Sequence, residues 1–180
     1  MTTQADLPYC NFGTGDDGTS VVLTTCFNST YDTAFYTFFG WLGVASALTF
    51  ANCGTAFGTA KSGMGIASMA VTRPHLAFKS LVPIIMAGIL SIYGLIISVL
   101  LSQKVKIDDS GPYPGFKMMS AGIICGFSCI ASGYAIGVVG ESAIKYYGIN
   151  ENIFVAIILI MIFAEVLGLY GMIVAIIVSV

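Results

Sequence analysis

The sequence predicts an all-α membrane protein of four transmembrane helices, arranged as a duplicated helical hairpin. Three observations carry this prediction. Of the 180 residues, 57% are hydrophobic and only 9% are charged, with a mean hydropathy of +0.91; soluble domains are nearer a quarter charged. So few charges cannot cover a water-facing surface, so lipid is the solvent for most of the chain. Four uncharged or nearly uncharged runs follow one another, at 33–60, 80–103, 118–140 and 152–180. The second pair of runs repeats the first.

Residues 1–32 come before the first run and read as a separate polar segment. They are rich in Thr, Asn, Asp and Gly, with four acids and no base. No signal peptide is apparent there, since "VVLTTCF" is too short an apolar core. Cys10 and Cys26 would pair if this segment faces an oxidising compartment. Asn28-Ser29-Thr30 has the form of a glycosylation sequon, but it adjoins the first apolar run.

The four-helix region is then 33–180, with repeats at 33–103 and 118–180. Each run reaches the roughly 20 residues that a helix needs to cross a bilayer. A helix also satisfies its own backbone hydrogen bonds in lipid. The later connections, "KVKIDDSGPYPG" and "ESAIKYYGINE", are short.

The repeat is visible residue by residue. A shift of 79 lays Gly43 on Gly122, Ala47 on Gly126, Gly54 on Gly133 and Gly58 on Gly137. A shift of 77 lays "AGILSIYGLI" (87–96) on "AEVLGLYGMI" (164–173). One position differs in kind: Gly88 in the first hairpin stands where Glu165 stands in the second. The small residues fall three, four or seven apart, a spacing that lets helix backbones approach closely. One reading is ordinary packing within a four-helix bundle. The sharper one places helices one and three on the crowded inner side of a ring, with two and four outside.

Glu165 is the one charge inside the last run. An ionised acid at mid-membrane costs about 3 kcal/mol on insertion scales, so desolvation makes the neutral acid its resting form. A nearby cation would favour ionisation, yet no Lys, Arg or His lies at similar depth in this chain. Any such cation comes from another subunit. A carboxyl of this kind can load a proton in one setting and release it in another. The alternative is a protonated Glu serving only as a hydrogen bond between helices, in a tetraspan structural or pore-forming protein. Sodium is less well served: a hard cation wants several oxygen ligands. The matching depth of the second helix offers Met86, Ile89, Leu90 and Ser91, with Tyr93 and Tyr170 above.

Other chemistry is excluded or weak. A net charge of −2 and no run of like charges leave no surface for nucleic acid. Five cysteines without zinc spacing argue against a disulfide scaffold or a metal site. Cys53, Cys125 and Cys129 fall in apolar runs and act as small hydrophobes. In "GTAKSG", Lys61 does not follow a Gly as a phosphate loop requires. Glu141 and Lys145 form an i,i+4 surface pair, and His75 sits solvated beside Pro74. Nothing resembles a hydrolytic triad, and no cofactor is implied. A small-molecule transporter would want broken helices in matching positions, and the runs are continuous. Lys61, Arg73, Lys79 and Lys145 on one face stand against Lys104, Lys106 and Lys117 on the other. With the acidic N-terminus, this balance places both termini in the lumen.

"FGTAKSGMGIA" (57–67), "SLVPIIMAGILSIYGLIISVL" (80–100) and "IFAEVLGLYGMIVAIIVS" (162–179) closely resemble the 16 kDa proteolipid (c-type) family of vacuolar-type proton ATPases. The resemblance covers residues 35–180; the polar N-terminus is longer than the family usually shows. It implies a membrane ring of several copies and related proteolipids, in an acidic endomembrane compartment such as a vacuole, lysosome or endosome. The ring turns against the a subunit, driven by ATP hydrolysis in a peripheral complex; the chain itself is non-catalytic. Glu165 matches the family's proton-carrying carboxylate. It would meet an arginine of the a subunit, lose its proton to a luminal half-channel and regain one from the cytosolic side. Tyr170 matches the family's "LYG" motif and is expected to line the site, as are Tyr93, Met86 and Leu90 from the reading of depth. Sodium-carrying relatives have Thr-Gln where this chain has Ile89-Leu90, which agrees with a proton. The cytosolic loops would contact the central rotor.

Overall fold

The structure, a computed structural model, describes residues 29–105 and 112–179. The polar segment 1–28, with Cys10, Cys26 and the Asn28 sequon, lies outside the described residues, as do residues 106–111 of the "KVKIDDSGPYPG" connection. Four helices account for nearly all of the described chain: α1 (Ser29–Thr72), α2 (Val82–Val105), α3 (Pro112–Tyr147) and α4 (Phe154–Ser179). Short 3-10 turns join α1 to α2 and α3 to α4.

The ends of the helices follow from local chemistry. α1 continues well past Lys61, because 61–72 holds no proline. It stops where Arg73 precedes Pro74: a residue before proline is driven from the helical region, and Arg73 has φ −140° and ψ 81°. Pro112 opens α3, where its missing N–H costs nothing. Asn150 starts the last 3-10 turn by accepting from the Asn152 N–H at 3.1 Å. Lys104 closes α4 from α2, donating to the Ser179 carbonyl at 2.6 Å, a favourable place for a cation at a helix C-terminus.

Lys79–Val105, Gly115–Tyr147 and Glu151–Ser179 are each long and apolar enough to cross a membrane. α1 has the length, at 44 residues, but is less apolar. Its packing faces carry Gly, Ala, Ser and Thr, small residues that lower hydropathy and let a neighbour approach.

The closest partners are α1 and α3, which run parallel. A side chain at Gly54 would collide with the Cys129 carbonyl, one at Gly133 with the Gly54 carbonyl, and one at Gly122 with the Gly43 carbonyl. Backbone thus rests on backbone over most of the apolar depth. Gly58 also meets Gly133, and Gly137 meets Gly58. Ala47 and Gly126 belong to other contacts: Ala47 faces Gly94 of α2, and Gly126 faces Phe50 and Ser46. α2 packs against both α1 and α3, while α4 packs against α3 and α2. At one end an Arg73–Glu151 ion pair of 3.8 Å joins the two hairpin loops. Nearby, Glu141 takes both Lys145 at 2.8 Å and Lys61 at 3.4 Å, so the expected helix-surface pair also ties α3 to α1.

The two hairpins are equivalent at an offset of 77 residues. Gly94 of α2 sits against Ala47 and Ala51, while Gly171 of α4 sits against Ile124 and Ser128. The shift of 79 that aligns the glycines marks residues that touch across α1 and α3, not residues in equivalent roles. Aromatic rungs also join α1 to α3, here between residues 77 apart. Phe39 stacks on Phe116 (4.8 Å), Phe50 tilts on Phe127 (5.2 Å) and Phe57 stacks on Tyr134 (5.2 Å). This ladder lies on the face of the α1–α3 pair turned away from α2 and α4.

Equivalent residues are not equally covered. Leu90 and Ile97 of α2 are 0% and 1% exposed, while their counterparts on α4, Leu167 and Val174, are 50% and 44% exposed. Ala45, Thr49, Ala56 and Ala60 of α1 are exposed, whereas their counterparts Gly122, Gly126, Gly133 and Gly137 are buried against α1. Each hairpin therefore presents a flank that the other hairpin covers only once. Gly133→Val should destabilise the chain by about 3 kcal/mol through overpacking. Thermal loss of helix signal in detergent would show it, and an unchanged midpoint would refute the backbone contact.

Candidate functional site

The buried face of α4 is made by Met161, Gly168, Gly171 and Ala175, spaced seven, three and four apart. Two serines of α3 fit this face. Ser132 donates to the Ala164 carbonyl at 2.7 Å, and Ser128 lies where a side chain at Gly171 would have to be. Gly168 leaves room for Leu90 and Ser132. The residue preceding Glu165 is thus bonded to α3 through its backbone, which fixes the rotation of α4 and sets Glu165 at the edge of its buried face.

Glu165 is half-buried. The Tyr93 hydroxyl of α2 donates to its Oε1 at 3.4 Å, a long and therefore weak bond. Tyr93 is held by packing against two parts of the core, one around Ala47, Ile97 and Cys129 and one formed by Ala87, Leu90 and Ile136. Leu90 is fully buried in the latter and closes the site from behind, over Gly168.

The other two expected lining residues, Met86 and Tyr170, differ in exposure. Met86 lies about one turn of α2 from Leu90, half-buried and outside the core clusters. Tyr170 is exposed, and five residues along α4 turn it about 140° from Glu165. Ser132 was not singled out by sequence. The 77-residue repeat pairs Ser128 against Gly171 with Ala51 against Gly94, but lays Ser132 on Thr55, another small hydroxyl residue.

Among the described residues no cluster of three or more His, Cys, Asp or Glu side chains is placed to hold a metal ion. The groups at Glu165 are one carboxyl, one phenol and the backbone-bonded Ser132. Such a site can hold a carboxyl inward on a weak donor, or release it from the edge of α4 toward whatever covers that edge.

The described contacts build one membrane hairpin twice, with a single acid, Glu165, in the apolar run of the second. The chain belongs to the family of the ATP synthase C subunit, whose model matches residues 42–101 and again 119–178. These two segments stand at the same offset of 77 as the packing. Among curated relatives, the c' subunit of the V-type proton ATPase of Saccharomyces cerevisiae is 47% identical over 150 residues, 83% of this chain and 92% of that one. The 16 kDa proteolipid c-type chain of the V-type proton ATPase of Rattus norvegicus is 48% identical over 145 residues, 81% and 93% of the two chains. Its namesake from Nephrops norvegicus is 50% identical over 143 residues, 77% and 88%.

Tyr93→Phe removes the only side-chain donor to Glu165 among the described residues. It should cost about 1 kcal/mol or less in stability and speed carbodiimide modification of Glu165. An unchanged labelling rate would show that Tyr93 does not restrain the acid.

Proposed function

We propose that this chain is the proton-carrying proteolipid of a V-type ATPase, and that Glu165 loads and releases the proton as a ring of such subunits turns. The observation that carries this reading is the placement of Glu165. It is the sole acid in the four apolar runs, half-buried at a helix edge, with one weak donor and no paired cation among the described residues. Burial in lipid favours its neutral form and a cation would favour the charged form, so transport needs a partner that supplies positive charge. An arginine of the a subunit fills that role.

The uncovered flanks support the ring. α1 presents Ala45, Thr49, Ala56 and Ala60, the counterparts of the α3 face already packed on α1. α3 presents Ser120 and Ala131, counterparts of Gly43 and Gly54. A contact repeated head to tail between copies closes into a ring when the rotation permits. α1 and α3 form its inner wall, where small residues allow close spacing, and α2 and α4 form its outer wall. We place the hairpin loops, with the Arg73–Glu151 pair, on the cytosolic side against the central rotor. Both termini then lie in the lumen of an acidic endomembrane compartment. The reading of Glu165 as a mere bond between helices has no support from the family, and the first hairpin keeps its packing with Gly88 in that place.

In a complex carrying only the variant, Glu165→Gln should leave ring assembly intact and abolish ATP-driven acidification of vesicles. Normal acidification would refute the proton-carrier role. Carbodiimide should label the unaltered chain at Glu165, faster as pH falls.

A further inference from the structure

The structure holds two halves of a contact that it does not itself make. Within the chain, α2 meets α4 through Tyr93 and Leu90 on one side and Glu165 and Gly168 on the other. Moved along the repeat by 77 residues, the first pair becomes Tyr170 and Leu167 on α4, which are 58% and 50% exposed. Moved back by 77, the second pair becomes Gly88 and Ser91 on α2. A side chain at Gly88 would meet nothing within 4 Å. The two half-contacts lie on opposite edges of one chain, so only another copy can join them.

We propose that Tyr170 reaches the next copy of this chain in the ring and fills the space beside its Gly88, the place where the first hairpin lacks an acid. This rests on the ring reading above. The chemistry of the recipient side suits a phenol. A Tyr hydroxyl taken out of water needs a hydrogen-bond partner. The Ser91 hydroxyl gives its proton to the Gly88 carbonyl at 2.8 Å, which leaves its oxygen free to accept from Tyr170. A glutamate at position 88 would instead have placed a second titrating group between copies. With Gly88 the ring has two kinds of outer boundary: an acidic one within each chain (Tyr93 to Glu165) and a neutral one between chains (Tyr170 to Gly88 and Ser91). Tyr170 is thus an assembly residue for the neighbour rather than a lining residue for its own Glu165.

The test uses the full chain, with Cys10, Cys26 and Cys53 replaced by Ser, assembled in membranes. Tyr170→Cys combined with Gly88→Cys, treated with a short thiol-reactive cross-linker, should shift the chain to dimers and higher multiples on a denaturing gel. Either single variant should stay monomeric. If the double variant stays monomeric while native electrophoresis shows an intact ring, the inference falls and the ring reading stands. If the unaltered chain forms no ring, both fall. As a second measure, Gly88→Leu, which the isolated chain can accommodate, should make the ring dissociate at lower detergent concentration without loss of helix content. A ring as resistant as the unaltered one would also overturn the proposal.

Discussion

Everything in this fold depends on two helix backbones touching. Where glycines of α1 and α3 face each other there is no side chain to slide or re-rotamer, so the contact fixes depth as well as distance. In lipid, where burial of apolar surface gives little drive to associate, such close packing is the main source of adhesion. The level of α1 against α3 sets where α2 can settle in their groove. The level of α2 in turn sets whether the Tyr93 hydroxyl meets Glu165. A shift of one residue along the seam would move that phenol by about 1.5 Å, enough to break a bond that is already 3.4 Å long.

The two hairpins divide labour on one plan. Both use a glycine of the outer helix against small residues of the inner one: Gly94 on Ala47 and Ala51, Gly171 on Ser128. In the second hairpin the small residues are serines, and one of them holds the backbone beside Glu165. Polar anchoring therefore appears in the hairpin that carries the acid. The acid is held by its helix more firmly than by its own hydrogen bond, which suits the exchange of partners proposed for it.

Much of this was legible in the sequence. Low charge, four apolar runs and the glycine spacing pointed to the helices, the duplication and the seam, and a lone acid in an apolar run stood out on energetic grounds. What was hidden is non-local. Helices outlast the apolar runs because a helix ends where a breaker stands, as at Arg73-Pro74, and not where the membrane ends. Counting glycines in the inner helices gives 79 because Gly43 and Gly122 are mutual partners; the outer helices already show 77, and the contacts of Gly94 and Gly171 extend that offset to the inner pair. Ser132 is an ordinary small residue until α4 is laid beside it. Tyr170 shares a motif with Glu165 but not a face, since five residues of helix carry it around the axis.

The ladder of Phe39, Phe50 and Phe57 on Phe116, Phe127 and Tyr134 has an electrical consequence. In the proposed ring these rungs face the central opening, level with the apolar belt. A column of water there would conduct protons across the membrane without turning anything. Stacked aromatic rings give such a column almost no hydrogen-bond partners, so the opening behaves as an insulator. The voltage that the pump builds is then held across the inner wall, behind the outer helices that carry the acid.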